Sequence, residues 1–298
     1  MQGSPSSIFF SIVIPTYNRA DILPRAIQSV LAQTYENFEV LIVDDGSTDS
    51  TEQTVRSIDD ARIRYLKKEN EERSIARNYG VNRSVGRYIN FLDSDDIFYP
   101  HHLQTAYQLL EENSFPAVGH LGYELVDETG NTVFQRNDLD DRIPERMIHE
   151  NVLHANAIFI RKDIASQYSF IPSKEAIISE DWYLWMRLVT RFQIFVDNSV
   201  TSAIVDHQSR SLKAIDPNKL ISSTKVVVAS LKQDSSFLKK YKRQAAYFFA
   251  NQYTLVTLVL ALAKNRRLDT ILYLFKAIRE DWTVVARRRF LASIKHWF

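Results

Sequence analysis

Runs of apolar, often β-branched residues alternate with amphipathic stretches along the first third of the chain. Four of these runs predict buried strands: 10–14, 38–43, 63–66 and 88–92. In 21–33 and 74–85 the apolar positions recur every three or four residues, which predicts helices with one buried face, the first of them capped by Asp21. Strands that alternate with helices favour right-handed βαβ units and a parallel sheet.

The rhythm changes after Pro100. A helix is expected over 101–112, and an aromatic-rich helix over 181–191. The strands expected between and beyond them are short: 118–126, 132–135, 155–160, 194–196 and 203–205. The first two are separated by an Asp-Glu-Thr-Gly-Asn turn and predict a hairpin, so the second part of the α/β core, which closes near residue 212, is mixed.

Only helical periodicity follows Pro217, over 219–232, 237–263, 268–282 and 284–297. We therefore expect a helical C-terminal extension, residues 215–298. Within it, 244–263 carries no formal charge and has the roughly 20 residues that cross a bilayer. Polar side chains such as Asn251, Gln252 and Thr257 favour a buried helix instead, because a bilayer penalises polar groups without partners.

The C-terminal end mixes basic and aromatic residues, as in Arg287-Arg288-Arg289-Phe290 and Lys295-His296-Trp297-Phe298. Two interpretations stay open for it. One is an interfacial helix that makes peripheral contact with a membrane, and the other is a solvated basic helix that packs its aromatic residues on the core.

The composition is that of an ordinary globular protein, with 45% hydrophobic residues, 24% charged residues and a formal net charge of +1. It shows no bias toward nucleic acid, and no nucleic-acid partner is expected. The chain has no cysteine, which excludes disulfides and thiolate metal sites. The N-terminal residues lack a basic segment ahead of the apolar run that Pro15 closes, so we expect no secretion signal. A cytoplasmic location is compatible with the absence of cysteine and is the expected one.

Acidic side chains follow two of the predicted strands, in Asp44-Asp45-Gly46-Ser47 and Asp93-Ser94-Asp95-Asp96. Open α/β sheets bind ligands at the carboxyl ends of their strands, where an aspartate can accept a hydrogen bond from a base or a ribose. Two aspartates separated by one residue can face one divalent cation, which would neutralise a departing nucleotide diphosphate. Each segment also has a structural explanation, a turn that caps the following helix.

Two further candidates have similar alternatives. Tyr17, after the first strand, could stack on a base or lie in the core. Glu180 and Asp181 begin the aromatic helix, where a carboxylate could cap the helix or act as a general base beside the indoles of Trp182 and Trp185.

Five segments in this order resemble the family 2 glycosyltransferases of the GT-A fold: 11–18, 43–49, 76–78, 86–96 and 180–182. The resemblance covers about residues 9–212. It implies an α/β fold with a Rossmann-like mixed sheet flanked by helices. It also implies a catalytic domain over 1–214, with a nucleotide-sugar half of about 9–99 and an acceptor half of about 100–214, ahead of the extension over 215–298.

The resemblance also implies the site residues. Those expected to bind a nucleotide sugar are Pro15, Thr16, Tyr17, Asp44, Asp45, Arg77, Asp93 and Ser94. Asp95, Asp93 and His207 would bind Mn²⁺ or Mg²⁺, and Asp181 would be the catalytic base. His207 is also interpretable as an ordinary surface histidine, because Val205 stands where many members have arginine. A second departure is Glu72, where many members have glycine.

The implied function is metal-assisted, inverting transfer of a sugar from a UDP-sugar to a hydroxyl of a glycan or lipid-linked saccharide, at the inner face of the membrane. The alternative is a protein that binds a nucleotide sugar or glycan without turning it over. A phosphoacceptor receiver domain is disfavoured because its acidic pair would follow the first strand, which here ends in Pro15-Thr16-Tyr17. A sugar nucleotidyltransferase is disfavoured as well, because the sequence shows no glycine-rich basic loop after the first strand to hold a triphosphate.

Overall fold

Nine strands form one mixed sheet in a computed structural model that describes residues 8–207, 215–263 and 266–297. The strands are β1 Phe10–Thr16, β2 Phe38–Asp44, β3 Ile63–Lys67, β4 Tyr88–Phe91, β5 Ile97–Phe98, β6 Val118–Asp127, β7 Thr132–Arg136, β8 Ile158–Arg161 and β9 Ile194–Asp206. The helices that precede β8 are α1 Leu23–Leu31, α2 Thr51–Arg56, α3 Arg73–Arg83, α4 His102–Glu112 and α5 Ile143–Arg146. Those that follow it are α6 Lys162–Gln167, α7 Glu180–Arg191, α8 Pro217–Lys232, α9 Ser235–Leu262, α10 Arg267–Glu280 and α11 Arg288–Trp297.

The strand order is β3-β2-β1-β4-β8-β6-β9-β5, with β7 paired to β6. The first four strands of this order are parallel, and every residue of β1 and β2 is buried. Parallel strands covered on both faces are continuously apolar, which is why their sequences predicted them. β8 is antiparallel to both of its neighbours, β4 and β6, so the sheet is mixed as expected.

The chain divides into two compact units. The first comprises Met1–Ile143, Val152–Lys174 and Phe192–Gln208, and it contains the whole sheet. The second comprises Pro144–Asn151, Glu175–Arg191 and Ser209–Phe298, and it contains α7 to α11. Two segments ahead of the predicted boundary therefore cluster with the C-terminal helices. The boundary at residue 214 lies outside the described residues and stays a prediction.

Two details of the expected strands are wrong. The stretches 194–196 and 203–205 belong to one strand, β9, which pairs with β6 through register shifts near Gly122. Polar, partly exposed residues in the middle of β9 interrupt its apolar pattern. Residues 155–157 form a 3-10 turn ahead of β8.

The expected cap of α1 is also wrong. The helix begins at Leu23 after Ile22, without a side-chain cap. Pro24 occupies the second helical position and has no N–H there, which removes one of the two donors that Asp21 would have bound as a cap.

The second unit is built around α9. Val256 and Leu260 of this helix pack with Leu220 of α8 and Tyr273 of α10. The backbone leaves the helical conformation at Lys242, where φ is 39° and ψ is −110°. By length and composition α9 could cross a membrane, but 61% of its most apolar stretch is buried inside the protein. Core helices of soluble proteins share these properties, so α9 is weak evidence for a span.

Candidate active site

Strands β1 and β2 end side by side at the carboxyl edge of the sheet. Thr16 lies opposite Asp44, and the N–H of Asp45 donates to the carbonyl of Thr16 at 2.8 Å. Pro15 lies beyond the last β1–β4 pair, where β4 requires no N–H from it. Tyr17 is 47% exposed, so its ring lies outside the core and is accessible to a ligand.

Thr16 carries a buried hydroxyl without a hydrogen-bond partner among the described residues. Buried polar atoms are rarely left unpaired, because desolvation without a partner costs about 1–3 kcal/mol. A hydroxyl of this kind at the strand edge fits a ligand that supplies the missing partner.

Asp44 uses both carboxylate oxygens inside the protein. One accepts a hydrogen bond from the N–H of Ser47 at 2.7 Å, and the other accepts from the hydroxyl of Tyr65. Burial, together with this bond to Asp44, raises the pKa of Tyr65. Asp44 therefore fixes the turn after β2, and its role in binding a nucleotide stays a prediction.

Asp45 organises the loop that follows β3. Its carboxylate accepts from Lys68 Nζ at 2.8 Å, from the N–H of Glu71 at 3.0 Å and from the N–H of Glu72 at 2.8 Å. Burial works against the charge of Lys68, but its bonds to Asp45 and Glu71 outweigh that effect and raise its pKa. Lys68 is not among the site residues predicted from the sequence, although it directly follows β3 and so lies at the same carboxyl edge as the aspartates.

Two positive φ angles shape this part of the edge. Gly46 has φ +85°, and a Cβ there would lie 2.9 Å from the backbone N of Asn70. Glu72 has φ 76° and ψ 158°, a conformation that is essentially restricted to glycine. The position at which the chain departs from the family's glycine is therefore one where its backbone is strained.

Asp93 follows β4 and pairs with Arg77, a residue of α3 whose side chain is 2% exposed. Burial would raise the pKa of Asp93, but the guanidinium groups of Arg77 and Arg73 outweigh it and hold the pKa at about 2. The Arg77 guanidinium also lies 5.1 Å from the ring centre of Phe170. A rigid, charged arginine at this edge suits the recognition of phosphate oxygens. The neighbouring Ser94 is buried.

Asp95 and His207 come together although 112 positions separate them, with Asp95 Oδ2 and His207 Nε2 2.9 Å apart. Asp96 contributes to this approach, because its Oδ1 accepts from the N–H of Val205 at 3.1 Å and so holds the end of β9. Arg25 donates to the carbonyl of Asp95 at 2.8 Å. Neither Asp96 nor Arg25 is among the site residues that the sequence predicted.

The Asp95–His207 pair fits a divalent cation. Carboxylate oxygen and imidazole nitrogen both bind Mn²⁺, and two ligands about 2.1 Å from an ion at a right angle lie about 3 Å apart. Among the described residues no group of three histidine, aspartate or glutamate side chains could hold a metal. A site with few protein ligands suits an ion that keeps coordination positions for water and phosphate.

Asp181 belongs to the second unit, in the first turn of α7. Its Oδ2 accepts from Asn151 Nδ2 at 3.0 Å, and its Oδ1 accepts from the N–H of Trp182 at 2.7 Å. Trp182 is itself fixed by a bond from its Nε1 to the carbonyl of Met147 at 2.9 Å. The carboxylate is thus oriented by the segment 144–151, which the sequence had not connected with it.

A comparison with known families agrees with this geometry. The family model described as Glycosyl transferase family 2 matches residues 11–169, more than half of the 298-residue chain. The chain belongs to glycosyl transferase family 2. The predicted family is therefore confirmed.

Relatives within the family match parts of the chain. An uncharacterized glycosyltransferase of Rickettsia felis is 47% identical over 121 residues, which make up 40% of this chain and 20% of that protein. The chain therefore matches only about a fifth of that relative's length. The UDP-Glc:alpha-D-GlcNAc-diphosphoundecaprenol beta-1,3-glucosyltransferase WfgD of Escherichia coli is 29% identical over 194 residues, 64% of this chain and 72% of the relative.

Among solved structures, S. aureus TarS in complex with UDP-GlcNAc is similar with a TM-score of 0.73 and 20% sequence identity. The match covers 97% of this chain and 88% of the TarS chain. This similarity confirms the GT-A fold that was predicted for the family 2 chain.

Proposed function

We propose that this family 2 protein is an inverting glycosyltransferase that moves a sugar from a UDP-sugar to a hydroxyl of a glycan or a lipid-linked saccharide. The observation that carries the proposal is that two side chains following β4, Asp93 and Asp95, are each paired with a side chain from elsewhere in the chain, Asp93 with Arg77 of α3 and Asp95 with His207 after β9. A nucleotide diphosphate needs such a combination of cationic and metal-binding groups, because its negative charge grows as the sugar departs.

The donor nucleoside is assigned to the ends of β1 and β2. The unpaired hydroxyl of Thr16 supplies a hydrogen bond, Tyr17 offers an exposed ring for stacking, and Asp45 presents a carboxylate beside them. UDP is favoured as the nucleotide because WfgD is named for a UDP-sugar and the similar TarS structure contains one.

Asp95 and His207 would hold Mn²⁺ or Mg²⁺, and Asp93, which pairs with Arg77, is proposed as a third ligand only after a rearrangement that brings it to the ion. The ion, when bound, neutralises charge on the departing diphosphate. Arg77 contributes a permanent positive charge on the same side, and its burial and its pairing with Asp93 hold it in place before substrate arrives.

Asp181 is proposed to take the proton from the acceptor hydroxyl. That oxygen then attacks the anomeric carbon from the face opposite the diphosphate, which inverts the configuration. Asn151 supports this role because its amide orients one carboxylate oxygen. Removal of a proton by a positioned carboxylate is typically worth about 10²–10⁴-fold in rate.

The acceptor is proposed to be a glycan or a lipid-linked saccharide, in polysaccharide biosynthesis at the cytoplasmic face of the membrane. WfgD is named for a lipid-diphosphate-linked acceptor. Leu268, Leu272 and Phe275 of α10 are exposed and share one helix face, which suits peripheral contact with a bilayer.

The test is release of UDP from UDP-sugars, compared with GDP- and dTDP-sugars, with Mn²⁺ and with a chelator. We expect Mn²⁺-dependent release that Asp95→Ala abolishes, whereas Asp59→Ala, which removes an exposed carboxylate of the same unit, leaves it intact. Binding of UDP-sugars without hydrolysis or transfer to any acceptor would identify the protein as a non-catalytic binder instead.

A further inference from the structure

A cleft lined by arginines lies within the second unit. Its volume is ≈ 830 Å³, and its charged lining consists of Arg146, Arg287, Arg288 and Arg289 against the single carboxylate of Glu150. The cleft therefore carries a formal excess of three positive charges, in a chain whose net charge is only +1. This charge concentration has no role in binding the donor as proposed above.

Neighbouring side chains hold two of the arginines in the cleft. Asn251 of α9 is buried, and its Oδ1 accepts from Arg289 Nη1 at 3.2 Å. Its Nδ2 donates to the carbonyl of His149 at 3.2 Å, which ties the segment 144–151 to the same helix. The guanidinium of Arg287 lies 5.2 Å from the ring centre of Tyr247, and that ring lies 5.0 Å from the imidazole of His149. In this cationic wall, Arg287 and Arg289 are thus held by other side chains of the unit.

The first turn of α11 adds to this wall. The helix begins at Arg288, and its first backbone bond runs from the N–H of Leu291 to the carbonyl of Arg287 at 3.0 Å. The N–H groups ahead of Leu291 have no partner within the helix, and together with the helix dipole they favour an anion. Arg288 and Arg289, in the first turn of this helix, both line the cleft.

The pKa of His149, which lines the cleft, is affected by the positive charge of Arg287. Burial and the charge of Arg287 lower the pKa of His149, against an opposing effect of Glu150. His149 is therefore neutral near pH 7 and offers a hydrogen bond rather than another charge. Arg146 lies 3.6 Å from Glu150, which offsets only one of the four cations.

From these contacts we infer that the cleft binds the phosphate or diphosphate group of the acceptor. Arginine side chains match phosphate oxygens with pairs of parallel N–H donors, and four of them suit a group with two or more negative charges. The segment 144–151 that lines the cleft also supplies Asn151, which orients Asp181. That the phosphate group belongs to an acceptor rests on the proposed transferase function, whereas the binding of a phosphate group in the cleft does not.

Calorimetric titration with inorganic pyrophosphate, in the presence of EDTA, tests the inference without donor or turnover. We expect Arg287→Gln/Arg288→Gln to weaken binding at least tenfold. The matched control is Arg243→Gln/Arg279→Gln, which removes the same charge from exposed positions of the same unit outside the cleft and should retain the affinity. Equal affinity in the two double variants, or no binding to the unmodified protein, would overturn the inference.

A second titration, with farnesyl diphosphate, tests whether the cleft prefers a lipid-linked diphosphate or recognises the phosphates alone. Tighter binding than pyrophosphate, lost in the same cleft variant, identifies a lipid diphosphate as the preferred form. Equal binding of both, again lost in that variant, identifies the phosphates alone. Farnesyl diphosphate binding that survives in the cleft variant contradicts the inference.

An independent measurement guards against misfolding of the variants. In the unmodified protein, the NMR signals of the His149 ring should shift when pyrophosphate is added, and an unchanged His149 signal at saturation would contradict the site. Neither titration requires sugar transfer, so a negative transferase assay would not affect these binding results. Likewise, absence of pyrophosphate binding in the cleft would not affect the UDP-release assay.

Discussion

The side chains at the carboxyl ends of β1 and β2 differ in whether their polar atoms already have hydrogen-bond partners within the protein. Both carboxylate oxygens of Asp44 accept hydrogen bonds, from Ser47 and Tyr65, whereas the hydroxyl of Thr16 has no partner among the described residues. Asp45 resembles Asp44, because both of its oxygens accept hydrogen bonds from the loop after β3. Loss of Asp44 should therefore affect folding first, whereas loss of the Thr16 hydroxyl should affect ligand binding.

Asp181 gives the sharpest residue-scale prediction about chemistry. Asp181→Asn preserves size and one of the two hydrogen bonds that the carboxylate accepts, from Asn151 and from the N–H of Trp182, but removes the basic charge, so turnover should fall about 10²–10⁴-fold. Affinity for UDP-sugar should stay nearly constant, as measured by titration calorimetry. Asp269→Asn, a carboxylate of α10 paired with Arg266, is the control and should keep full turnover. Near-normal turnover in Asp181→Asn would remove this residue from the role of base.

Glu72 gives a residue-scale prediction about stability. Glu72→Gly should raise the free energy of unfolding by roughly 1 kcal/mol relative to Glu72→Ala, because only glycine relaxes the strain at φ 76°. Both variants lose the carboxylate and both keep the N–H that bonds Asp45. Urea unfolding measures the difference. Equal stability of the two variants would show that the backbone at residue 72 is not strained.

At the scale of elements, the turn between β2 and α2 approaches the loop after β3 at Gly46. Gly46→Ala introduces both a positive-φ penalty and a Cβ contact of 2.9 Å with the backbone of Asn70. Gly130→Ala carries the same penalty, at φ +87°, with nothing within 4 Å of its Cβ. Gly46→Ala should therefore be the more destabilising in urea unfolding and should alone weaken UDP binding. Comparable losses in the two variants would contradict a role for the close approach.

Helix α10 has the exposed apolar face proposed above for contact with a membrane. Leu268, Leu272 and Phe275 are 84%, 48% and 67% exposed, and Arg267 and Arg279 are exposed on the same helix. Leu272→Glu/Phe275→Glu should reduce cosedimentation with phosphatidylglycerol vesicles several-fold, because it places charge on the inserting face. The control is Val133→Glu/Phe134→Glu, which alters exposed apolar residues of β7. Unchanged cosedimentation of the α10 variant would exclude this face.

The sequence predicted elements best where burial alone decides their pattern. The parallel strands β1, β2 and β4 were predicted within a few residues because they are buried along their whole length, and the edge strand β3, which is only partly buried, was predicted as well. β9 was divided in two because polar residues interrupt it, and the cap of α1 was misplaced because Pro24 alters the donors available there. The approach of His207 to Asp95 followed only from the family resemblance, since it depends on a bond between Asp96 and the backbone of β9. The segment 144–151 carries no motif, and its contacts with α7 and α9 emerged only in three dimensions.

For the whole molecule, the two units differ in how they can be observed and in how they respond to acid. All four tryptophans, at positions 182, 185, 282 and 297, belong to the second unit, so their fluorescence reports that unit. The first unit contains all strands and the fully buried histidines His102 and His120. Strand-sensitive circular dichroism therefore follows the unit in which these histidines titrate.

Burial, with a smaller contribution from the neighbouring His120, lowers the pKa of His102 to about 3, and burial likewise lowers the pKa of His120 to about 3. The Nδ1 of His102 lies 2.8 Å from the hydroxyl of Thr201, and its Nε2 has no partner among the described residues, so the neutral ring is the form that the fold accommodates. The unfolded chain takes up protons below about pH 6.5, whereas the native state does not do so until near pH 3. Stability contributed by the neutral rings is therefore present above pH 6.5 and is lost as the pH falls through this window.

The resulting prediction is a loss of about 2 kcal/mol in the free energy of unfolding for each buried histidine between pH 8 and pH 5. Urea unfolding followed by circular dichroism at the two pH values measures it. His102→Gln should reduce this pH-dependent loss by about 2 kcal/mol, whatever its effect on stability at pH 8, because one proton fewer is taken up on unfolding. His101→Gln, at an exposed position one residue earlier, should leave the pH dependence unchanged. If His102→Gln and the unmodified protein lose equal stability between pH 8 and pH 5, His102 is not held neutral by the fold.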